Sequence, residues 1–191
     1  MLAHRIMQRY TPDQARILMI DYRRTMLDVV PAEYLVGYGT NLGVTEGLTA
    51  EVAAAMQPRL PGPDVTAEQL RNRSWWSGLE LFVLVDDYDL VATGGVDPLT
   101  PLLPYLPQAR DIGLHLIVVR RSGGAGRAMF QPLLTALRES GVPGVMLSGD
   151  RDEGTLLGSV RPESLPPGRG WLVSRRGDAQ LVQLAWLPPT A

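Results

Sequence analysis

Apolar residues follow two rhythms along this 191-residue chain. Four short stretches are almost continuously aliphatic: ARILMID (Ala15–Asp21), LFVLV (Leu81–Val85), LHLIVV (Leu114–Val119) and GVMLS (Gly144–Ser148). Short apolar runs between turn residues predict strands buried on both faces. Between them the spacing turns helical. Leu2, Ile6 and Met7 share one helical face, which reads as the tail of a helix ending before TPDQ. Thr49 can cap a helix running to Met56 and stopped by Pro58. Thr66 and Gln69 have capping-box spacing and open a second short helix. Asp97 begins a helical stretch that Pro101, Pro104 and Pro107 break into two pieces before Gly113. AGRAMFQPLLTALRES (Ala125–Ser140) predicts one amphipathic helix closed by Gly141. GYGTNLG (Gly37–Gly43) reads as a turn-rich loop. GWLVSRRGDAQLVQLAW (Gly170–Trp186) reads as two strands around a turn at Arg176–Asp178. Alternating strands and helices predict an α/β fold with a mainly parallel sheet covered on both faces. The last strand pair adds an antiparallel edge.

Composition narrows the chemistry. An apolar content of 45% over this length fits one soluble domain, 1–191. The net charge of −2 gives no overall basic field to attract nucleic acid or an anionic membrane. There is no cysteine, so disulfides, thiolate metal sites and cysteine nucleophiles are excluded. All 18 basic residues are arginine. Schiff-base chemistry and a phosphate-loop lysine are therefore excluded within these residues. No apolar run has the length of a membrane span, and MLAHRIMQRY lacks the layout of a signal peptide.

The strongest chemical signal is the pair Asp86–Asp87 after the run LFVLV. In parallel sheets, ligands bind beyond the carboxyl ends of strands. An acid there can hold the water shell of Mg²⁺, and a second can orient or deprotonate an attacking water. Acids after a strand also open turns, and DDYD can equally cap a helix at Tyr88–Val91. A matching phosphate loop would read GxxxxGK[ST]; GVTEGLT (Gly43–Thr49) has the wrong spacing and no lysine. RSGGAGRA (Arg121–Ala128) is a flexible connector or a set of amides for an anion at a helix start. Arg120 and Arg121, at the end of the next strand, suit phosphate sensing or a solvated basic loop. Asp21, Arg23 and Arg24 read as a charged surface loop rather than a subunit-interface or nucleotide-edge group. His4 and His115 have no metal-ligand spacing, and His115 reads as a satisfied core histidine. Trp75 and Trp76 beside Arg71 and Arg73 read as packing or a peptide-contact surface rather than a single-strand stacking platform.

Taken in order, ARILMIDYRRTML, LFVLVDDYDLV, PLLPYLPQARDIGLHLIVVRRSGGAGRAMFQPLL, LSGDRDEGTLLG and RPESLPPGRGWLVSRRG resemble one family over essentially the whole chain. It is the EccC coupling ATPases of type VII (ESX) secretion in mycobacteria and related actinobacteria. The likeness is to the last of their tandem FtsK/SpoIIIE-type ATPase domains. The resemblance implies a RecA/FtsK-like P-loop NTPase fold using ATP and Mg²⁺. It also implies assembly with other EccC ATPase domains and the ESX membrane complex at the cytoplasmic face of the membrane. The partner it implies is the C-terminal signal of WXG100-type substrates, and DNA pumping is the weaker alternative. On this resemblance Asp86 is the Walker B metal acid and Asp87 stands in the place of the catalytic glutamate. Arg120 matches a polar sensor, and Arg121 the arginine that follows it.

Several positions depart from the family pattern. The chain reads as starting inside the helix that follows the Walker A loop, without the loop's strand or lysine. That strand is expected between the Asp86 strand and the next one. Aspartate at position 87 reaches less far toward water than glutamate does. Gly154 stands near the position of the arginine in the DNA translocases' corresponding stretch. The expectation is an ATPase-family domain without hydrolysis of its own, or a non-enzymatic docking module.

Overall fold

The computed structural model describes residues 1–185. The chain forms two compact units, one from Leu2 to Val119 and one from Arg120 onward. The first contains helix α1 (Leu2–Arg9), strands β1 (Ala15–Ile20) and β2 (Leu35–Gly39), and helices α2 (Leu42–Met56) and α3 (Ala67–Asn72). Strand β3 (Glu80–Val85), helix α4 (Tyr88–Val91), a 3-10 run (Thr100–Gln108) and strand β4 (Leu114–Val118) follow. The strands form one parallel sheet in the order β2-β1-β3-β4.

Side-chain alternation divides this sheet into two apolar faces. Ile17 pairs with Phe82 and Met19 with Leu84 on one face, where Ala3 and Ile6 of α1 cover them. The buried stripe of α1 thus runs Ala3, Ile6, Met7 and on to Tyr10, while Leu2 is exposed. Leu18 and Ile20 line the opposite face, in register with Gly37 and Gly39 of β2. There α2 crosses β2 so closely that a Cβ on Gly37 would strike Leu48, and one on Gly39 would lie 2.6 Å from the Thr45 hydroxyl. Helices therefore lie on both faces, and each fully buried aliphatic side chain contributes about 1.5–3 kcal/mol.

Helix α2 starts seven residues before the expected cap at Thr49. Asn41 caps it, its side chain accepting from Val44 N–H at 3.1 Å. Thr49 is fully buried in mid-helix and donates to the Pro98 carbonyl at 2.6 Å. The glycines of GYGTNLG are not loop residues alone: Gly37 and Gly39 belong to a strand that must admit a helix. The capping box at Thr66 and Gln69 is present as expected. The proline-rich stretch forms a single 3-10 run through Pro104 and Pro107.

β3 and β4 pair directly, from Leu81–Leu114 to Val85–Val118. The strand expected between them is not between them; β4 is instead an edge of the sheet among the described residues. Its residues are correspondingly less covered than those of β1 and β3.

The second unit contains helices α5 (Ala125–Ala128) and α6 (Pro132–Glu139) and strands β5 (Gly144–Met146), β6 (Arg169–Val173) and β7 (Ala179–Gln183). The single helix expected over Ala125–Ser140 is split. Pro132 has no amide hydrogen and holds Gln131 extended (ψ 142°), so α6 restarts at the proline and Phe130 is left exposed. The strand in GVMLS joins the terminal pair rather than the parallel sheet, giving an antiparallel sheet β5-β6-β7. The β6–β7 turn closes as expected, with Ser174 N–H donating to Asp178 O at 2.8 Å. Trp186, the end of the expected second strand, lies outside the described residues. Ala125, Met146, Leu156, Val160 and Val173 form this unit's core.

Candidate functional site

β3 delivers Asp86 to the carboxyl end of the parallel sheet, where its amide donates to Ile20 O at 2.9 Å. Its carboxyl is pushed above the usual carboxylate range, first by burial and then by the negative charges of Asp87 and Asp21. The Asp87 amide and the Thr25 hydroxyl, at 3.4 Å, pull the other way without cancelling the rise.

Asp87 adopts a left-handed conformation (φ 45°, ψ 54°) at the first position of the turn into α4. Its side chain makes no capping bond. It pairs instead with Arg23 Nε at 2.8 Å. The helix that DDYD can cap, Tyr88–Val91, is present with Asp87 at its N-cap position, but the carboxylate is held by the ion pair with Arg23 rather than by a cap.

Asp21 departs most from its reading as a surface acid. It is 1% exposed and accepts from Arg23 N–H at 3.0 Å, Met26 N–H at 2.7 Å and Tyr38 Oη–H at 2.7 Å. Three donors satisfy a carboxylate that burial would otherwise penalise. The Tyr38 hydroxyl is pushed far above its usual range by burial and by this same acid. The sequence signal was available: ARILMID and LFVLVD are the same pattern, an apolar strand ending in an acid.

Arg120 and Arg121 open the second unit, whereas Asp86 and Asp87 belong to the first. Arg120 folds onto its own loop, Nε donating to Arg121 O at 2.9 Å and a terminal nitrogen to Gly123 O at 3.2 Å. The glycine-rich amides do take an anion, but it is this unit's own. Gly124 and Gly126 N–H donate to the two oxygens of Glu153 at 2.6 and 2.9 Å. Those two bonds, aided by Arg120, hold the Glu153 carboxyl below its ordinary value.

At the amino end of the sheet, His115 is satisfied as expected but is half-buried on the edge strand rather than in the core. It meets Glu80 Oε2 at 2.7 Å and stacks on Phe82 at 4.4 Å. Trp75 and Trp76 donate to Arg59 O and Asp111 O, and the Arg59 guanidinium lies 4.6 Å from a Trp76 ring. Both tryptophans are thus tied to neighbouring backbone while remaining partly exposed.

A half-buried carboxylate with a raised pKa, a hydroxyl beside it and two like charges nearby form a hard-oxygen, cation-favouring end. That fits Mg²⁺ held by one carboxylate and water. It does not fit a metal caged by protein alone: no group of three or more His, Cys, Asp or Glu among the described residues could hold one. The phosphates of ATP find no lysine and no GxxxxGK[ST] within these residues.

A parallel sheet sandwiched by helices, with tandem acids ending an inner strand, fits the P-loop ATPase class of RecA/FtsK type, although these residues carry no GxxxxGK[ST] loop. The comparisons agree. The chain is 52% identical over 181 residues to the ESX secretion system protein EccC of Thermomonospora curvata, covering 95% of this chain and 14% of that protein. ATPases 2 and 3 of the Thermomonospora curvata EccC, solved with a signal sequence peptide, superpose with a TM-score of 0.93 at 50% identity over 98% of this chain and 34% of that one. A solved structure described as an ATPase matches with a TM-score of 0.87 at 33% identity, covering 98% of this chain and 73% of that one. No protein-family model matches. The chain belongs to the EccC family of ESX (type VII) secretion ATPases, and it spans about one seventh of the length of the first EccC protein above.

Proposed function

We propose that these residues act as one ATPase-family domain of the type VII secretion machinery, with Asp86 as the acid that holds Mg²⁺ through water. Asp86 carries the reading: it ends an inner parallel strand, half-buried, with its carboxyl raised by burial and neighbouring charge. When bound, Mg²⁺ supplies charge for the oxygens of a nucleoside triphosphate. Asp87 stands where a water-orienting acid is useful, and the family resemblance assigns Arg120 and Arg121 to the phosphates, although Arg120 here donates to carbonyls of its own loop. A strand carrying the phosphate loop would pair along β4, an edge strand among the described residues. Without that loop, nucleotide binding is weak and hydrolysis does not follow. Partners on this reading are other EccC ATPase domains, the ESX membrane complex and the C-terminal signal of WXG100-type substrates, at the cytoplasmic face of the membrane. No described helix is long and apolar enough to cross a membrane.

Mn²⁺ as a stand-in for Mg²⁺, followed by electron paramagnetic resonance in the presence of ATP, tests the metal role. Wild type binds weakly and Asp86→Asn loses the binding; equal binding by both would remove Asp86 from the site. A second reading, a docking module, is favoured by the signal peptide bound to the Thermomonospora relative. It predicts that a WXG100-type C-terminal peptide binds with the same affinity with and without ATP–Mg²⁺ in a fluorescence titration. A nucleotide-dependent affinity would favour the first reading.

A further inference from the structure

The chain between β1 and β2 is tied to the tandem acids by contacts that neither a surface loop nor a Walker B strand requires. Asp21, buried at the end of β1, accepts from the Arg23 and Met26 amides and the Tyr38 hydroxyl, all within 3.0 Å. These bonds turn residues 21–26 back over the ends of β1 and β3. The turn sets Arg23 Nε 2.8 Å from Asp87 Oδ2, and the Thr25 hydroxyl between Asp86 Oδ2 at 3.4 Å and Asp21 Oδ2 at 3.5 Å. Within that turn Arg24 has φ 60°, a left-handed backbone that a non-glycine residue keeps only where its surroundings enforce it. Asp87, at φ 45°, is strained in the same way on the other side of the ion pair.

We propose that Asp21 and Arg23 are positioning residues for the tandem acids: Asp21 shapes the turn, and Arg23 latches Asp87 in an ion pair that withholds it from water. The inference rests on the reading of Asp86–Asp87 as a metal and water site, but the latch itself is a property of this chain. Arg23 is 48% exposed and the Asp87 side chain 20%, so the pair is weak enough to open and close. Asp21, with its three donors, does not let go. The strong contact therefore fixes the turn, and the weak one gates the second acid.

Carbodiimide-driven amidation of carboxylates, read residue by residue by mass spectrometry on the full chain, tests the latch without metal or nucleotide. In Arg23→Gln, Asp87 reacts roughly two- to fivefold faster than in wild type, the factor expected when a half-exposed ion pair is lost. Arg23→Lys, which keeps the charge, restores most of the protection. In 1 M salt the difference between wild type and Arg23→Gln shrinks, because screening already loosens the pair (Debye length about 3 Å). Asp21→Asn speeds Asp87 without Arg23 being touched. Glu80, held by His115 and Arg73 at the far end of the sheet, is the internal reference. An unchanged Asp87 rate in Arg23→Gln overturns the proposal. So does a parallel rise at Glu80, which would make Arg23 a merely structural residue. The Mn²⁺ titration is read separately: loss of Asp86-dependent binding would sink the metal reading and leave the labelling result standing.

Discussion

Asp86 is held in a state that costs stability. Its carboxyl is raised, so the folded chain binds that proton more tightly than the unfolded chain does. Stability contributed by the protonated form is present below the unfolded value of about 4 and is lost as pH rises through the raised folded value. Asp86→Asn therefore melts at higher temperature than wild type at neutral pH, and the gain disappears as the pH falls below the unfolded pKa. Calorimetric melting across that range checks it; equal melting temperatures at pH 7 would mean that the acid is not under strain. Asp86 and Asp87 were legible because an aliphatic run delivering two acids is a dense local pattern. Asp21 ends a run of the same kind, but its burial and its partner were not legible, because Tyr38 comes from a strand hidden in a glycine-rich segment. The partner of Asp87 was equally out of reach, since Arg23 lies 64 positions away and arrives only through the turn.

At the scale of elements, apolar density decided what could be read. β1, β3 and β4 stand out as runs, and the Thr66 cap follows a local rule. β2 and the first half of α2 do not, because their glycines serve a crossing and not a turn. Gly37 and Gly39 leave the room that Leu48 and Thr45 fill. Thr49 then stops being a cap and becomes a buried tie to the Pro98 carbonyl. Thr49→Val keeps the shape and strands that carbonyl, at a cost of about 1–3 kcal/mol. Urea unfolding reads this as a lower midpoint with an unchanged slope; an unshifted midpoint would mean the tie contributes nothing. Pro132 divides α5 from α6 by the same kind of local rule, one that amphipathic spacing alone does not reveal. β5 shows the limit of periodicity, since a three-residue apolar strand carries no sign of which sheet it will join.

For the whole molecule, alternating strands and helices were enough to give the fold class, while strand order was not. A missing strand between β3 and its neighbour was the expectation, and direct pairing of β3 with β4 removes the gap. Among the described residues the edges of the parallel sheet are β2 and β4, so the partner of β3 on that side is itself an edge strand. In the second unit the Gly124 and Gly126 amides, read from the sequence as a set for an anion, are taken by Glu153. On the function proposed above, Asp86 is the metal acid of an EccC-family domain, and these residues supply no phosphate loop. Steady-state ATP hydrolysis by the purified chain in Mg²⁺, compared with Asp86→Asn, tests that claim most directly. The account predicts turnover indistinguishable between the two and no higher than the buffer background; turnover by wild type that disappears in Asp86→Asn would contradict it.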